Sequence, residues 1–293
     1  MPLAKDVLVS IIIPCYNTEL YIKDTIDSII NQSVENIEII VVNDGSTDKS
    51  VQIIESIEDS RIKIINQKNK GVSVARNNGF NVSKGDFVIF FDADDIMSDG
   101  FIEKRIQILK RNLDLDFVCS KIISFKSNTE FISTVTAGPV FDIEEKILMF
   151  NKQFHTCPSN YMYRKSSLIN SNIRFNNKLA SPADRFFLLE VSNKKLKGEL
   201  LSEGGELYYR IHDKSMSHHL TENLVRDTEM FYKEILKHGL LSKQMKNKAL
   251  SKGYYIISGS SFRLRKLGDA LKFALLSFFY SPIIFIKNFN KHH

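Results

Sequence analysis

Cysteine is scarce in this chain of 293 residues: Cys15, Cys119 and Cys157 are an odd number at long spacings. That spacing excludes a disulfide framework and a spaced zinc site, and it agrees with reduced thiols in the cytosol. Long apolar runs are also missing. The C-terminal stretch 273–286 has fourteen residues with Pro282 inside, whereas crossing a bilayer takes roughly twenty. Met1 to Val7 has neither a long apolar core nor a small-residue cleavage site, so no secretory signal is expected. Basic residues exceed acidic ones, giving a net charge of +6, but the lysines are scattered and form no stripe. No nucleic-acid partner is expected; anionic ligands or surfaces are. With 43% hydrophobic and 25% charged residues, the composition suits one large domain, or one domain with an appendage.

The chemistry gathers at residues 87–95, Phe-Val-Ile-Phe-Phe-Asp-Ala-Asp-Asp. The apolar run reads as a strand buried on both faces of a parallel sheet. Its acids then lie at the carboxyl edge, where open α/β sheets bind ligands. Asp92 and Asp94 flank one residue, so a turn there can aim both carboxylates at one hard cation, Mn2+ or Mg2+. The competing reading is that these acids cap the next helix or face solvent.

Four βα units surround this stretch. Residues 8–13 read as a strand closed by Pro14, which cannot extend a central ladder. A helix follows, capped by Thr18 and carrying Ile22, Ile26, Ile29 and Ile30 on one face. Strand 37–42 ends at Asn43-Asp44-Gly45-Ser46-Thr47-Asp48, a turn that caps helix 49–57. Strand 62–66, helix 71–82 and strand 87–91 complete the pattern. Such alternation predicts an α/β fold with a doubly wound, mostly parallel sheet. Its shared edge brings together Pro14, Tyr16, Asn17, Asn43, Asp44, Asn69, Lys70, Asp92 and Asp94. An aromatic, amides, an acid, a base and a carboxylate pair are the parts of a nucleoside diphosphate site. Singly they are ambiguous: Asp44 also suits helix capping, and Tyr16 suits packing as well as stacking.

Val9-Ser10-Ile11-Ile12-Ile13-Pro14-Cys15-Tyr16-Asn17, Val42-Asn43-Asp44-Gly45-Ser46-Thr47-Asp48, Asn69-Lys70-Gly71 with Ala75-Arg76-Asn77, and Phe91-Asp92-Ala93-Asp94-Asp95 resemble, in order, the motifs of family 2 glycosyltransferases. The likeness spans residues 8–215. It implies a GT-A type fold, a nucleotide-sugar donor, a divalent metal and inversion at the anomeric carbon. By the same likeness Asp44 holds uracil, Pro14 and Tyr16 line the base pocket, and Arg76 and Asn69 lie near the nucleotide. Asp92 faces ribose and metal, and Asp94 holds the metal against the pyrophosphate.

Tyr161-Met162-Tyr163-Arg164-Lys165-Ser166 and Asn172-Ile173-Arg174-Phe175 resemble the segment before the family's catalytic acid, which falls on Asp184. Relatives often show Glu-Asp there, and this chain has Ala183. Without the likeness Asp184 caps helix 185–191; with it, Asp184 is the base, and Glu190 is second choice. Tyr208-Tyr209-Arg210-Ile211-His212 resembles the closing segment, an aromatic strand that delivers a histidine toward the metal or diphosphate, which makes His212 a metal-ligand candidate beside Asp92 and Asp94; neutral imidazole suits Mn2+ better than Mg2+.

Two units are expected, a catalytic one at 1–217 and a helical appendage at 218–293. In the latter, helices 221–238 and 240–257 precede the apolar stretch. Arg263, Arg265, Lys266 and Lys272 suit anionic headgroups, so residues 268–287 are read as a peripheral membrane contact or a packing surface, including one for a homo-oligomer. The predicted protein is a cytoplasmic transferase, peripheral on the inner membrane face. It moves a sugar, hexosyl or N-acetylhexosaminyl, from a UDP-sugar to a lipid-linked or glycan acceptor in surface polysaccharide or cell-wall synthesis. A sugar nucleotidyltransferase and a decayed binding protein are the rivals. The former lacks a glycine-rich basic loop after the first strand; the latter rests on Ala183.

Overall fold

A computed structural model describes residues 7–127, 130–136, 142–149, 155–212 and 221–289. Ser215, Met216, Ser217, His218, His219 and the two terminal histidines lie outside them. The first half alternates as predicted: β1 Val9–Cys15, α1 Ile22–Ile30, β2 Ile37–Asn43, α2 Ser50–Glu55, β3 Ile62–Asn66, α3 Val72–Val82 and β4 Phe87–Phe90. Then come β5 Ile96–Met97, α4 Phe101–Arg111, β6 Phe117–Cys119, β7 Lys121–Ser127, β8 Glu130–Thr136, α5 Ile143–Leu148, β9 Met162–Arg164 and α6 Lys165–Asn170. The chain continues through α7 Ala183–Asn193, β10 Gly198–Leu200 and β11 Leu207–Arg210, and the C-terminal helices are α8 Glu222–Lys237, α9 Lys246–Arg263, α10 Leu267–Tyr280 and α11 Pro282–Phe289.

The main sheet has seven strands in the order β10-β6-β9-β4-β1-β2-β3. β1 to β4 run parallel, and β9 enters antiparallel between β4 and β6. Both faces are covered because every apolar residue of β1 has a buried partner. Ile11 and Ile13 pack with Ile26 of α1 and Ile106 of α4, whereas Ile12 packs with Phe80 of α3 and Phe187 of α7. Burying each such side chain contributes about 1.5–3 kcal/mol.

Pro14 sits inside β1, opposite Val42, and does not end it. Ile12 carries its ladder bond on the β4 side, accepting from Phe91, and Pro14 shares that parity. Its nitrogen therefore faces a place where β4 has already stopped, so no ladder bond is lost. Thr18 is not a side-chain cap either. Its backbone carbonyl accepts from Tyr21 and Ile22, and its hydroxyl lies 3.2 Å from Cys15 Sγ.

A second sheet, β5-β11-β7-β8, has as its counterparts in the sequence-based expectation a strand or two at 117–125 and the strand of the closing segment that becomes β11, but not their assembly into one sheet. Arg105, fully buried, fastens it to the main body by donating to Phe101 O, Gly205 O, Ser120 Oγ and Asn160 Oδ1.

The helix expected at 240–257 begins later, at Lys246, because a turn at Ser242 accepts from Met245 and Lys246. Residues 273–286 divide between α10 and α11 at Ser281-Pro282. Phe231, Tyr232, Ile235, Ala249, Leu250 and Ile257 of α8 and α9 share one core with Phe90, Phe117 and Phe186. No helix among the described residues is long and apolar enough to cross a membrane.

Candidate active site

Three carboxylates emerge where β4 ends. Asp92 donates its backbone N–H to Ser159 Oγ, and Asp95 N–H returns to Asp92 O, closing a tight turn. Asp95 points inward and is fully buried, accepting from Arg210 N–H and from the Cys157 thiol. Asp94 points the other way, where its Oδ2 lies 2.9 Å from His212 Nε2. The imidazole is stacked on Tyr21 at 4.5 Å between centroids. Arg210 braces the turn, donating to Asp94 O and to Asp24.

Arg76 reaches this turn from α3. Gly79, one turn further on, has no side chain, and an added Cβ there would meet Ile12 Cγ2 at 2.4 Å. The helix thus lies close enough to β1 for Arg76 to span two acids. One nitrogen donates to Asp92 Oδ1 at 2.5 Å and the other to Asp184 Oδ1 at 2.7 Å. The Arg76 side chain is 4% exposed, Asp92 26% and Asp184 24%. The cation sits behind, and the two acids open to solvent.

Asp184 lies in the first turn of α7, but Pro182 occupies the cap position, and the carboxylate bonds Arg76. The capping reading is therefore replaced. Burial pushes the Asp184 carboxyl up to about 6; Arg76 opposes that rise and Asp92 adds to it. Ala183 is fully buried in the core. Glu190 lies on the same helix beside Lys194 and accepts from Arg174 N–H; burial pushes it up to about 7.

The nucleotide-side candidates occupy the same sheet edge. Asp44 is buried, with Oδ1 accepting from Gln67 Nε2 and Lys70 N and Oδ2 from Gly71 N at 2.8 Å. It anchors the loop that leads into α3 and does not cap the helix that follows it in sequence. Tyr16 is 48% exposed at the end of β1, Pro14 is half-buried beside it, and Asn69 is exposed. Asn17, in left-handed backbone at φ 54°, and Asn43 accept from Thr47 and Ser46, holding the loops between them.

Whether these residues fit a divalent cation follows from their charges. Burial and the neighbouring carboxylates push Asp92 and Asp95 up, the sign of acids crowded beyond what Arg76 offsets. Oxygen donors on Asp92 and Asp94 with the Nε2 of His212 form a hard to borderline set. Asp92, Asp95 and Cys157 also lie within 4.8 Å of one another. The Cys157 thiol donates to Asp95, and burial and these acids push its pKa well up. It stays protonated, and Asp95 serves the fold.

In the sequence Asp95 stands in the acidic cluster without a role, and Ser159, Tyr21 and the bracing role of Arg210 were missed. Nothing in the local patterns around Ser159 and Tyr21 distinguishes them.

A cavity of about 360 Å3 opens over Asp92 and Asp184, walled by His155, Arg185, Tyr209 and residues of α8 and α9. A mostly parallel sheet with an acidic turn and a cavity at its carboxyl edge is the architecture of the GT-A fold. The crystal structure of S. aureus TarS 1-349 in complex with UDP-GlcNAc shares that fold at a TM-score of 0.65, with 18% identity over 92% of this chain and 91% of TarS. Residues 10–171 match Glycosyl transferase family 2, and the chain belongs to that family. A Bacillus subtilis relative, Uncharacterized glycosyltransferase EpsJ, is 30% identical over 261 residues, 86% of this chain and 72% of EpsJ. The Minor teichoic acid biosynthesis protein GgaB of B. subtilis is 31% identical over 217 residues, 71% of this chain but only 23% of its own length.

Proposed function

We propose that the protein is an inverting, metal-dependent glycosyltransferase that moves a hexosyl or N-acetylhexosaminyl group from a UDP-sugar to a glycan hydroxyl in surface polysaccharide or cell-wall synthesis. The observation that carries this is the Asp92–Arg76–Asp184 chain with both acids facing one cavity. Asp184 accepts the proton of the acceptor hydroxyl, whose oxygen attacks the anomeric carbon as the sugar–phosphate bond breaks. The bonding electrons leave with the diphosphate. Arg76 fixes the Asp184 carboxylate in place and favours its charged form. Asp92, Asp94 and His212 would hold Mn2+ or Mg2+, which when bound stabilises the departing diphosphate. Asp44 and Asn69 take the uracil, with Tyr16 and Pro14 against its ring. The UDP-GlcNAc complex of TarS and the teichoic acid name of GgaB support donor and acceptor class.

The protein also lies on the inner face of the membrane. Phe279 and Ile283 are each 79% exposed on α10 and α11, with Leu271 and Leu275 on the same surface and Lys272 and Lys287 beside them. Large apolar side chains rimmed by cations suit an anionic bilayer interface.

Incubation with UDP-glucose, UDP-galactose or UDP-GlcNAc and Mn2+ tests the activity. UDP release that chelation abolishes is expected; pyrophosphate release from UTP and a sugar phosphate, or no turnover, would overturn the reading.

A further inference from the structure

We infer that α8 and α9 build the acceptor subsite, and that it takes a single terminal sugar residue of a glycan. This rests on the transferase reading above. The cavity contains Asp92 and Asp184 but none of Pro14, Tyr16, Asp44 or Asn69, so it lies on the far side of the reacting bond from the nucleotide. Its polar floor is Asp184, Arg185, His155 and Tyr209, and its facing wall includes Val225 and Thr228 of α8 with Ile257 and Ser260 of α9.

A pyranose has the matching character: hydroxyls around its edge and C–H groups on its faces. About 360 Å3 is at the small end of ligand clefts, which run about 300–1,000 Å3, and suits one ring better than an extended polymer. His155 Nδ1 is buried on this floor without a hydrogen-bond partner, and a sugar hydroxyl supplies one.

The wall and the base are also held together. Glu234 of α8, 5% exposed, accepts from Asn176 and Lys178 in the segment that leads to Asp184. From the other side, Ser73 and Asn77 of α3 donate to Leu179 O and Phe175 O.

Val225 and Thr228 are half-buried and border the cavity, so Val225→Trp and Thr228→Trp fill it; Val225 also touches the core, and thermal melts by circular dichroism establish that each variant is folded. The probes are methyl β-D-glucopyranoside, methyl β-D-galactopyranoside and methyl N-acetyl-β-D-glucosaminide at high millimolar concentration, with UDP release as readout. At least one glycoside accelerates release by the parent enzyme. In both folded variants its KM rises by about tenfold or more, while the KM for the UDP-sugar changes by less than about twofold. A parent enzyme that releases UDP but responds to no glycoside, or variants with an unchanged glycoside KM, would overturn the subsite. A parent enzyme that releases no UDP from any donor overturns the transferase reading instead.

Discussion

Arg76 and Asp184, 108 positions apart in the chain, are joined by a hydrogen bond of 2.7 Å, and the second arm of the same guanidinium holds Asp92. Burial alone would lower the Arg76 pKa, but the two acids more than reverse that, so it stays charged. A planar fork is needed to serve two carboxylates at once; an ammonium is a single point. Arg76→Lys should retain the fold and lose about 10²-fold or more in kcat, comparable to the loss of a general base in Asp184→Asn, about 10²–10⁴-fold. Steady-state UDP release beside circular dichroism checks both.

The base must be ionised to act. Because Asp184 is pushed up to about 6, log kcat/KM should climb with pH below about 6 and level off above it. In Asp184→Asn that limb should vanish with the activity. A limb at the ordinary carboxylate position near 4 would show that another acid carries the proton.

Glu190 gives a stability prediction of opposite character. Burial raises it from 4.5 to about 7, so between those values the folded state holds a proton that the unfolded chain has released. Stability therefore falls as pH rises through that window, and the full cost is present above 7. Glu190→Gln should stabilise the protein by on the order of 1 kcal/mol at pH 8, after discounting for its partial exposure. At pH 4 it should have little effect. Melting temperatures at the two pH values decide it, and equal shifts would contradict the reading.

The apolar surface of α10 and α11 predicts membrane binding. Phe279→Glu with Ile283→Glu should abolish flotation with vesicles of anionic phospholipid while leaving UDP release intact, since both side chains are 79% exposed and distant in sequence from the acids. Unchanged flotation would remove the membrane contact. A variant that turned from dimer to monomer would reassign the face to a second copy of the chain.

Much of the catalytic edge was legible because it is local. Strand, turn and helix alternate in short units, and each unit ends in its own polar cluster, so Asp92, Asp94 and Asp44 could be placed on one edge from pattern alone. The Arg76–Asp184 bond could not be read that way, because it depends on how α7 docks against α3 across many residues. Thr18 and Asp184 look like caps by residue type, yet the Thr18 hydroxyl turns back to Cys15 and a distant partner, Arg76, claims Asp184. Pro14 looked like a strand end because its parity relative to β4 is invisible before the sheet is assembled. The strands of β7 and β11 were legible, but their assembly into a second sheet was not, because β5, β7 and β11 draw their pairing from distant segments. The reach of α8 and α9 into the cavity was equally hidden, since amphipathic spacing shows that a helix packs but not against what.

The most direct test is a crystal structure with UDP-GlcNAc and Mn2+, read by anomalous scattering at the manganese edge. The account predicts one manganese peak bound by Asp94 with Asp92 or His212, the uracil beside Asp44 and Tyr16, and Asp184 facing the anomeric carbon from the cavity side. A nucleotide seated elsewhere, or a manganese ion held away from the turn after β4, would contradict it.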